Sequence, residues 1–354
     1  MAKLLMKGNE AIAEAAIRGG CRYFFGYPIT PQNELPEYMS VRLGEVGGVF
    51  LQAESEIGAI NMVYGAAASG ARAMTSSSSP GIALKQEGIS YICAAQLPCV
   101  IVNISRGGPG LGGIQPAQSD YFQATRGGGN GDYRLIVYAP ANLQEAVDIT
   151  LEAFDISEKY RVPVFIAGDG MIGQMMEPVE IPEGFVSQSA EKDWTTTGTK
   201  GQRAPNIINT LYLDPLKLEE HNIKLDNVYK LIEANETRYE ADSLEDCDVV
   251  CAAYGMTSRI ARSSIKIAAS SGVKVGMLRP VSLWPFPYGA FDKINPKAKG
   301  ILCAEMSMGQ MLDDVKIGSK GRWPIHFYGR SGGMVPTPDE IAEQLIKIAE
   351  GKSV

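Results

Sequence analysis

Between residues 23 and 167 short runs of branched and aromatic apolar residues alternate with longer segments of helical periodicity, which limits the chain to an α/β architecture. Strands are predicted over 23–27, 49–52, 71–75, 98–104, 135–138 and 162–167. Helices are predicted over 10–18, 31–46, 56–68, 88–95 and 143–160. Strands rich in Val and Ile, separated by helices, form mainly parallel sheets covered on both faces. Thr30 is expected to cap the 31–46 helix, with Pro31 at its first position. Residues 175–215 hold Pro178, Pro182 and Thr195-Thr196-Thr197-Gly198 and read as connection. Residues 216–246 carry dense charge of both signs and read as a solvated surface helix. A second α/β unit follows, with strands over 248–255, 273–278, 300–305 and 325–328 and a last helix capped by Thr337. The expected organisation is two doubly wound, mainly parallel-sheet domains, 1–180 and 246–354, joined by a linker over 181–245.

The 354 residues agree with two or three domains at roughly 150 residues each. No apolar run is long enough to span a bilayer, and the N-terminus lacks a signal-peptide plan, so a cytoplasmic protein is expected. A net charge of −7 argues against nucleic-acid binding, which needs a basic stripe. The six cysteines form no Cys-x-x-Cys pair and read as buried apolar fillers, so no iron–sulfur cluster is expected on this chain. His221 and His326 stand apart from other ligand types, and no metal site is expected.

Two motifs mislead. Gly108-Pro109-Gly110-Leu111-Gly112-Gly113 matches G-x-G-x-x-G, but Ile114-Gln115-Pro116 follows where a helix should open. Gly168-Asp169-Gly170 looks like the start of the thiamine-diphosphate magnesium motif, yet residues 195–200 lack the Asn that closes it. Asp169 is read as structural.

Three residues are candidates for chemistry. Thr30 at a helix start would offer an anion site, or plain capping. Glu56 heads a run of small apolar residues; it either complements the helix dipole or is a carboxyl held in an apolar pocket for use. Glu54 competes with it but lies outside the helix. Arg106 ends a buried strand and is followed by glycines. Its fork would reach a carboxylate in the ligand crevice of the sheet, or form a surface salt bridge.

Tyr27-Pro28-Ile29-Thr30-Pro31, Glu54-Ser55-Glu56-Ile57-Gly58-Ala59 and the loop from Arg106 to Gly112 resemble the α subunit of the 2-oxoacid:ferredoxin oxidoreductases. The stretches 115–122 and 127–132 fit as well, as do Leu278-Arg279-Pro280, Trp284-Pro285-Phe286-Pro287 and 305–311 in the second unit. Gly110-Leu111-Gly112, in place of Ser-Thr-Gly, points to the 2-oxoisovalerate branch over the 2-oxoglutarate or pyruvate types. The resemblance implies a pyrimidine-binding domain for thiamine diphosphate followed by a transketolase C-terminal-like domain. It also implies a β subunit that holds the diphosphate, Mg2+ and an iron–sulfur cluster, with γ and ferredoxin-like δ subunits, ferredoxin as acceptor and coenzyme A as co-substrate. Glu56 would hydrogen-bond the pyrimidine N1′, and Thr30 and Arg106 would bind the 2-oxo acid carboxylate. Tyr27, Pro28, Ile29, Ser79 and Gly81 would line the cofactor. Two rivals remain: a non-catalytic assembly subunit that kept the fold, and a self-sufficient transketolase-like enzyme.

Overall fold

The computed structural model describes residues 3–184 and 192–352. The chain runs β1 (Lys3–Lys7), α1 (Gly8–Arg18), β2 (Tyr23–Gly26), α2 (Glu34–Glu45), β3 (Val49–Gln52), α3 (Glu56–Ala68), β4 (Ala73–Ser77) and α4 (Pro80–Ala94). It continues through β5 (Val100–Ser105), α5 (Tyr121–Thr125), β6 (Ile136–Tyr138), α6 (Leu143–Tyr160), β7 (Val164–Asp169), α7 (Gly170–Gln174), β8 (Met176–Glu180) and α8 (Pro215–Asn235). The last part holds β9 (Tyr239–Asp242), β10 (Val249–Ala252), α9 (Gly255–Ser270), β11 (Val275–Pro280), β12 (Ser282–Trp284), β13 (Ile301–Glu305), α10 (Met311–Ser319), β14 (Ile325–Gly329) and α11 (Pro338–Ala349).

Two mainly parallel sheets result. The first has seven strands in the order β12-β6-β7-β5-β4-β2-β3, parallel except for β12. The second has five, β14-β13-β10-β11-β9, parallel except for β9. Every residue of β4, β5 and β10 is buried, as expected of strands covered by helices on both faces. All six cysteines are buried and free. Their thiols are apolar filler, and burial pushes Cys21 up to about 12.

Several expectations need correction. Thr30 does not cap a helix: α2 opens at Glu34 with Asn33 before it, and 27–33 is a turn. In that turn the Gln32 N–H donates to the Ile29 carbonyl (3.1 Å) and Gln32 Nε2 donates to the Tyr27 carbonyl (3.3 Å). Pro31 is therefore a turn residue and not the first of a helix. Helix α4 begins at Pro80, eight residues before the expected start at 88, because the serine run ahead of it reads as a turn. Residues 176–180, read as connection, pair antiparallel with β1. Finally, β12 from the second unit joins the first sheet beside β6, with Ser282 opposite Tyr138.

Candidate active site

In a parallel sheet, ligands bind beyond the carboxyl ends of the strands. The turn 27–33 follows β2, Glu56 follows β3, the serines and Gly81 follow β4, Arg106 follows β5 and Asp169 ends β7. The topology therefore delivers every candidate to one edge of the first sheet.

Arg106 is 7 % exposed. Its Nη1 donates to the Thr30 carbonyl oxygen (2.8 Å) and its Nη2 to the Leu111 carbonyl oxygen (2.9 Å). Its Nε has no partner, and no carboxylate pairs with it among the described residues. Among the described residues Arg106 does not form the surface salt bridge foreseen as an alternative. A buried guanidinium held only by carbonyls keeps capacity for an anion. Thr30 itself is exposed; its Oγ1 accepts a long bond from Asn33 Nδ2 (3.4 Å).

Ser79 links Arg106 to the rest of the site. Its Oγ accepts from the Arg106 N–H (2.9 Å) and donates to Asp120 Oδ2 (2.6 Å), while its own N–H donates to Asn103 Oδ1 (3.0 Å). Asp120 Oδ2 also accepts from Asn103 Nδ2 (2.7 Å) and Ser105 Oγ (2.9 Å). This carboxylate orders the ends of β4 and β5 together. Sequence reasoning gave it no role, although it lies in the 115–122 stretch that carried the resemblance.

Glu56, 6 % exposed, opens α3. Ser55 caps that helix, its Oγ accepting from the Gly58 N–H (3.1 Å), so Glu56 is free of capping duty. Glu54 lies outside the helix, exposed, with its carboxylate over Gly58. A Cβ on Gly81 would collide with Ser77 Oγ and lie 2.7 Å from Glu56 Oε1, so only glycine leaves this space open. Among the described residues the buried hydroxyls of Thr75, Ser77 and Ser78 have no partner, nor has the Nζ of Lys85, one turn beyond Gly81. Buried polar atoms are normally paired, and an orphaned group calls for an explanation. A carboxylate, hydroxyls that can donate or accept, and a glycine-made gap fit a small heteroaromatic ring such as an aminopyrimidine. The resemblance places the serine run 76–79 along the cofactor without individual roles; Lys85 was missed because it lies before the expected helix start at 88 and belongs to no motif.

Hydrogen bonds thus join Thr30, Arg106 and Ser79, and Gly81, two residues further along the chain, faces the Glu56 carboxylate. Tyr27, Pro28 and Ile29 border this site on the turn. The two misleading motifs resolve as expected. Residues 107–113 form a loop and open no helix, and the Gly113 N–H closes back on the Gly107 carbonyl (2.8 Å). Asp169 caps α7, its Oδ1 accepting from the N–H groups of Met171 (2.9 Å) and Ile172 (3.1 Å). Burial pushes its carboxyl up to about 6 against these bonds.

Residues 14–240 match the pyruvate flavodoxin/ferredoxin oxidoreductase, thiamine-diphosphate-binding family, and residues 247–341 match core domain II of pyruvate:ferredoxin oxidoreductase. The chain belongs to the 2-oxoacid:ferredoxin oxidoreductases. The ketoisovalerate oxidoreductase subunit VorB of Methanothermobacter thermautotrophicus is 44 % identical over the whole of both chains. The 2-oxoglutarate synthase subunit KorA of the same organism is 36 % identical, covering 97 % of this chain and 98 % of its own. Among solved structures, the 2-oxoglutarate:ferredoxin oxidoreductase of Magnetococcus marinus, with 2-oxoglutarate, coenzyme A and succinyl-CoA bound, superposes with a TM-score of 0.88 at 27 % identity. That match covers 98 % of this chain and 65 % of the solved one. A split-gene transketolase, at 13 % identity and a TM-score of 0.59, shares the fold. As a member of this oxidoreductase family the chain is one subunit of a multi-subunit, thiamine-diphosphate-dependent enzyme. Among the described residues no helix is long and apolar enough to cross a membrane.

Proposed function

We propose that this chain binds the pyrimidine half of thiamine diphosphate and the carboxylate of a branched-chain 2-oxo acid, such as 3-methyl-2-oxobutanoate. The observation that carries the reading is Arg106. It is a buried guanidinium with no carboxylate partner among the described residues, next to Thr30 and joined through Ser79 and Gly81 to the Glu56 pocket. A substrate carboxylate would supply the missing anion to a fork suited to it. Thr30 Oγ1 would add a second contact, and together the two would fix the direction in which the substrate carbonyl faces. Glu56 would hold the proton at the pyrimidine N1′ through a carboxylate oxygen, with Gly81 leaving the ring room. Tyr27, Pro28, Ile29 and Ser79 would border the ring and substrate. Thiamine diphosphate, when bound, supplies the carbon nucleophile and electron sink for decarboxylation.

The diphosphate, Mg2+ and an iron–sulfur cluster would sit on a β subunit, with γ and ferredoxin-like δ subunits completing the complex. Coenzyme A would take the acyl group and ferredoxin the electrons. The branched-chain choice is supported by the name of the 44 % identical relative and by Leu111, an exposed apolar side chain on the residue whose carbonyl Arg106 holds.

The test is Glu56→Gln in the assembled complex, assayed with viologen dye on 3-methyl-2-oxobutanoate, pyruvate and 2-oxoglutarate. Turnover should fall by about 10²- to 10⁴-fold while assembly survives. Near-normal turnover would mark an assembly subunit instead, and a preference for another acid would move the substrate.

A further inference from the structure

The mechanism above leaves Lys85 unused, and its position is unusual. Lys85 is fully buried. It sits on α4 between Gly81, four residues before, and Gly88, three residues after, so all three share the helix face turned to α3. At Gly88 a Cβ would come within 2.5 Å of Ile60 Cγ2, and at Gly81 within 2.7 Å of Glu56 Oε1. Glu56 and Ile60 are one turn apart on α3. Lys85 therefore lies in the seam between the two helices, at the level of the candidate pocket. Among the described residues its Nζ finds no hydrogen-bond partner. An ammonium placed there without an acceptor opposes folding unless it serves the site.

We propose that Lys85 is a positioning residue for Glu56: its buried ammonium is the counter-charge of the Glu56 carboxylate and acts on the pyrimidine through it. The inference rests on the reading of Glu56 given above. Burial lowers the Lys85 ammonium to about 8, and Glu56 partly opposes that shift. Other titratable groups near α4 face elsewhere. The Tyr133 hydroxyl bonds Gln86 (3.1 Å), Asp120 bonds Ser79, and His221 meets the Ala94 carbonyl (2.7 Å). Glu87 accepts from Tyr91 on the outer face (2.6 Å), and Tyr64 on α3 is shifted by burial alone. Glu56 is the charge that holds the Lys85 ammonium up against burial.

The site therefore has two states, one with a charged and one with a neutral Lys85, exchanging near the upper end of the physiological range. The experiment compares wild type, Lys85→Met and Lys85→Arg in the assembled complex. It measures thiamine diphosphate affinity by calorimetry and kcat, both from about pH 6.5 to 9.5. Wild type should follow the Arg variant at low pH and the Met variant at high pH, with the crossover at about 8. Lys85→Met should lack that step and bind the cofactor about tenfold more weakly at pH 7. A step that persists in Lys85→Met, or a Met variant equal to wild type in affinity and kcat at pH 7, overturns the proposal. If the Met variant does not assemble, a wild-type profile flat from pH 7 to 9 overturns it equally. Should Glu56→Gln keep full turnover, the functional reading fails. Should Glu56→Gln collapse while Lys85→Met matches wild type, only the role of Lys85 fails.

Discussion

Arg106 and Asp169 are both buried ionisable residues at the same sheet edge, yet their surroundings give them opposite uses. Arg106 is satisfied on two of its three nitrogens by carbonyls and lacks an anion. Arg106→Ala should cost about 1.5–3 kcal/mol in kcat/KM for the 2-oxo acid, roughly 10- to 150-fold, and mostly through KM. Arg106→Lys should fall between, because it keeps the charge and loses the fork that also ties Thr30 to Leu111. Steady-state kinetics with an unchanged KM would remove Arg106 from the substrate site. Asp169, by contrast, is satisfied by backbone donors and still has its carboxyl raised by burial from 3.8 to about 6. A value raised in the folded state means that folding favours the protonated form. That contribution is whole below about 4 and is lost as pH rises through about 6. Asp169→Asn keeps the oxygen that accepts from Met171 and Ile172 without the charge. It should be more stable than wild type above pH 6, by about 2–3 kcal/mol at most, with the difference vanishing towards pH 4. Denaturant titrations across that range measure it, and a gain independent of pH would refute the charge argument.

Among elements, the helices that build the site were legible to different degrees. Helix α3 was read with its observed bounds, because Ser55 before Glu56 and a run of small residues after it leave little alternative. The parallel strands were legible too, since Val100-Ile101-Val102 and Val164-Phe165-Ile166 can be satisfied only inside a two-faced sheet. The start of α2 was not, because Thr-Pro carries a capping signal that the tertiary structure overrides. Asn9 Nδ2 and Gln174 Nε2 both donate to the Pro31 carbonyl (2.9 Å each), pinning the turn from two other helices. Strand β12 escaped because it is only three residues long, runs straight into Pro285, and pairs with β6 of the other unit. In the site, Glu56 and Arg106 could be found as residues that break the pattern around them, and Gly81 only through the resemblance. Lys85 and Asp120 could not. Their significance lies in which helix and strand ends meet them, and spacing along the chain does not encode that.

At the scale of the whole molecule, the two sheets are joined tightly enough to share the site. Gln118 is the clearest joint. Its Nε2 donates to the Tyr254 carbonyl (2.9 Å), and its Oε1 accepts from Thr257 Oγ1 (2.7 Å) and the Met306 N–H (3.0 Å). Its own N–H donates to the Met306 carbonyl (2.8 Å). One buried amide from the first unit therefore satisfies the start of α9 and the loop after β13 in the second. That loop, with Met308 and Gln310, lines a cleft with Gly108, Pro109, Gly110, Ser119 and Asp120, and Ser331 and Gly332 close it from the last strand's exit. A Cβ on Gly107 would lie 3.0 Å from the Gly332 carbonyl carbon, so the arginine loop rests on the second unit. Gln118→Met keeps the bulk of the side chain and leaves the Thr257 hydroxyl and the Met306 N–H without partners, while the Tyr254 carbonyl loses one of two donors and keeps the Ser258 N–H (3.2 Å). Each orphaned buried group is worth about 1–3 kcal/mol, so the variant should lose about 2–5 kcal/mol of stability after partial rearrangement. The loss should be local before it is global. In hydrogen exchange of the assembled complex, amides over 306–311 and 107–113 should exchange faster while β4 and β5 keep their protection. Faster exchange in both loops would show that the second unit holds the arginine loop in place. Faster exchange over 306–311 alone would confine Gln118 to the second unit. The substrate site would then depend on the first sheet and its partner subunit only.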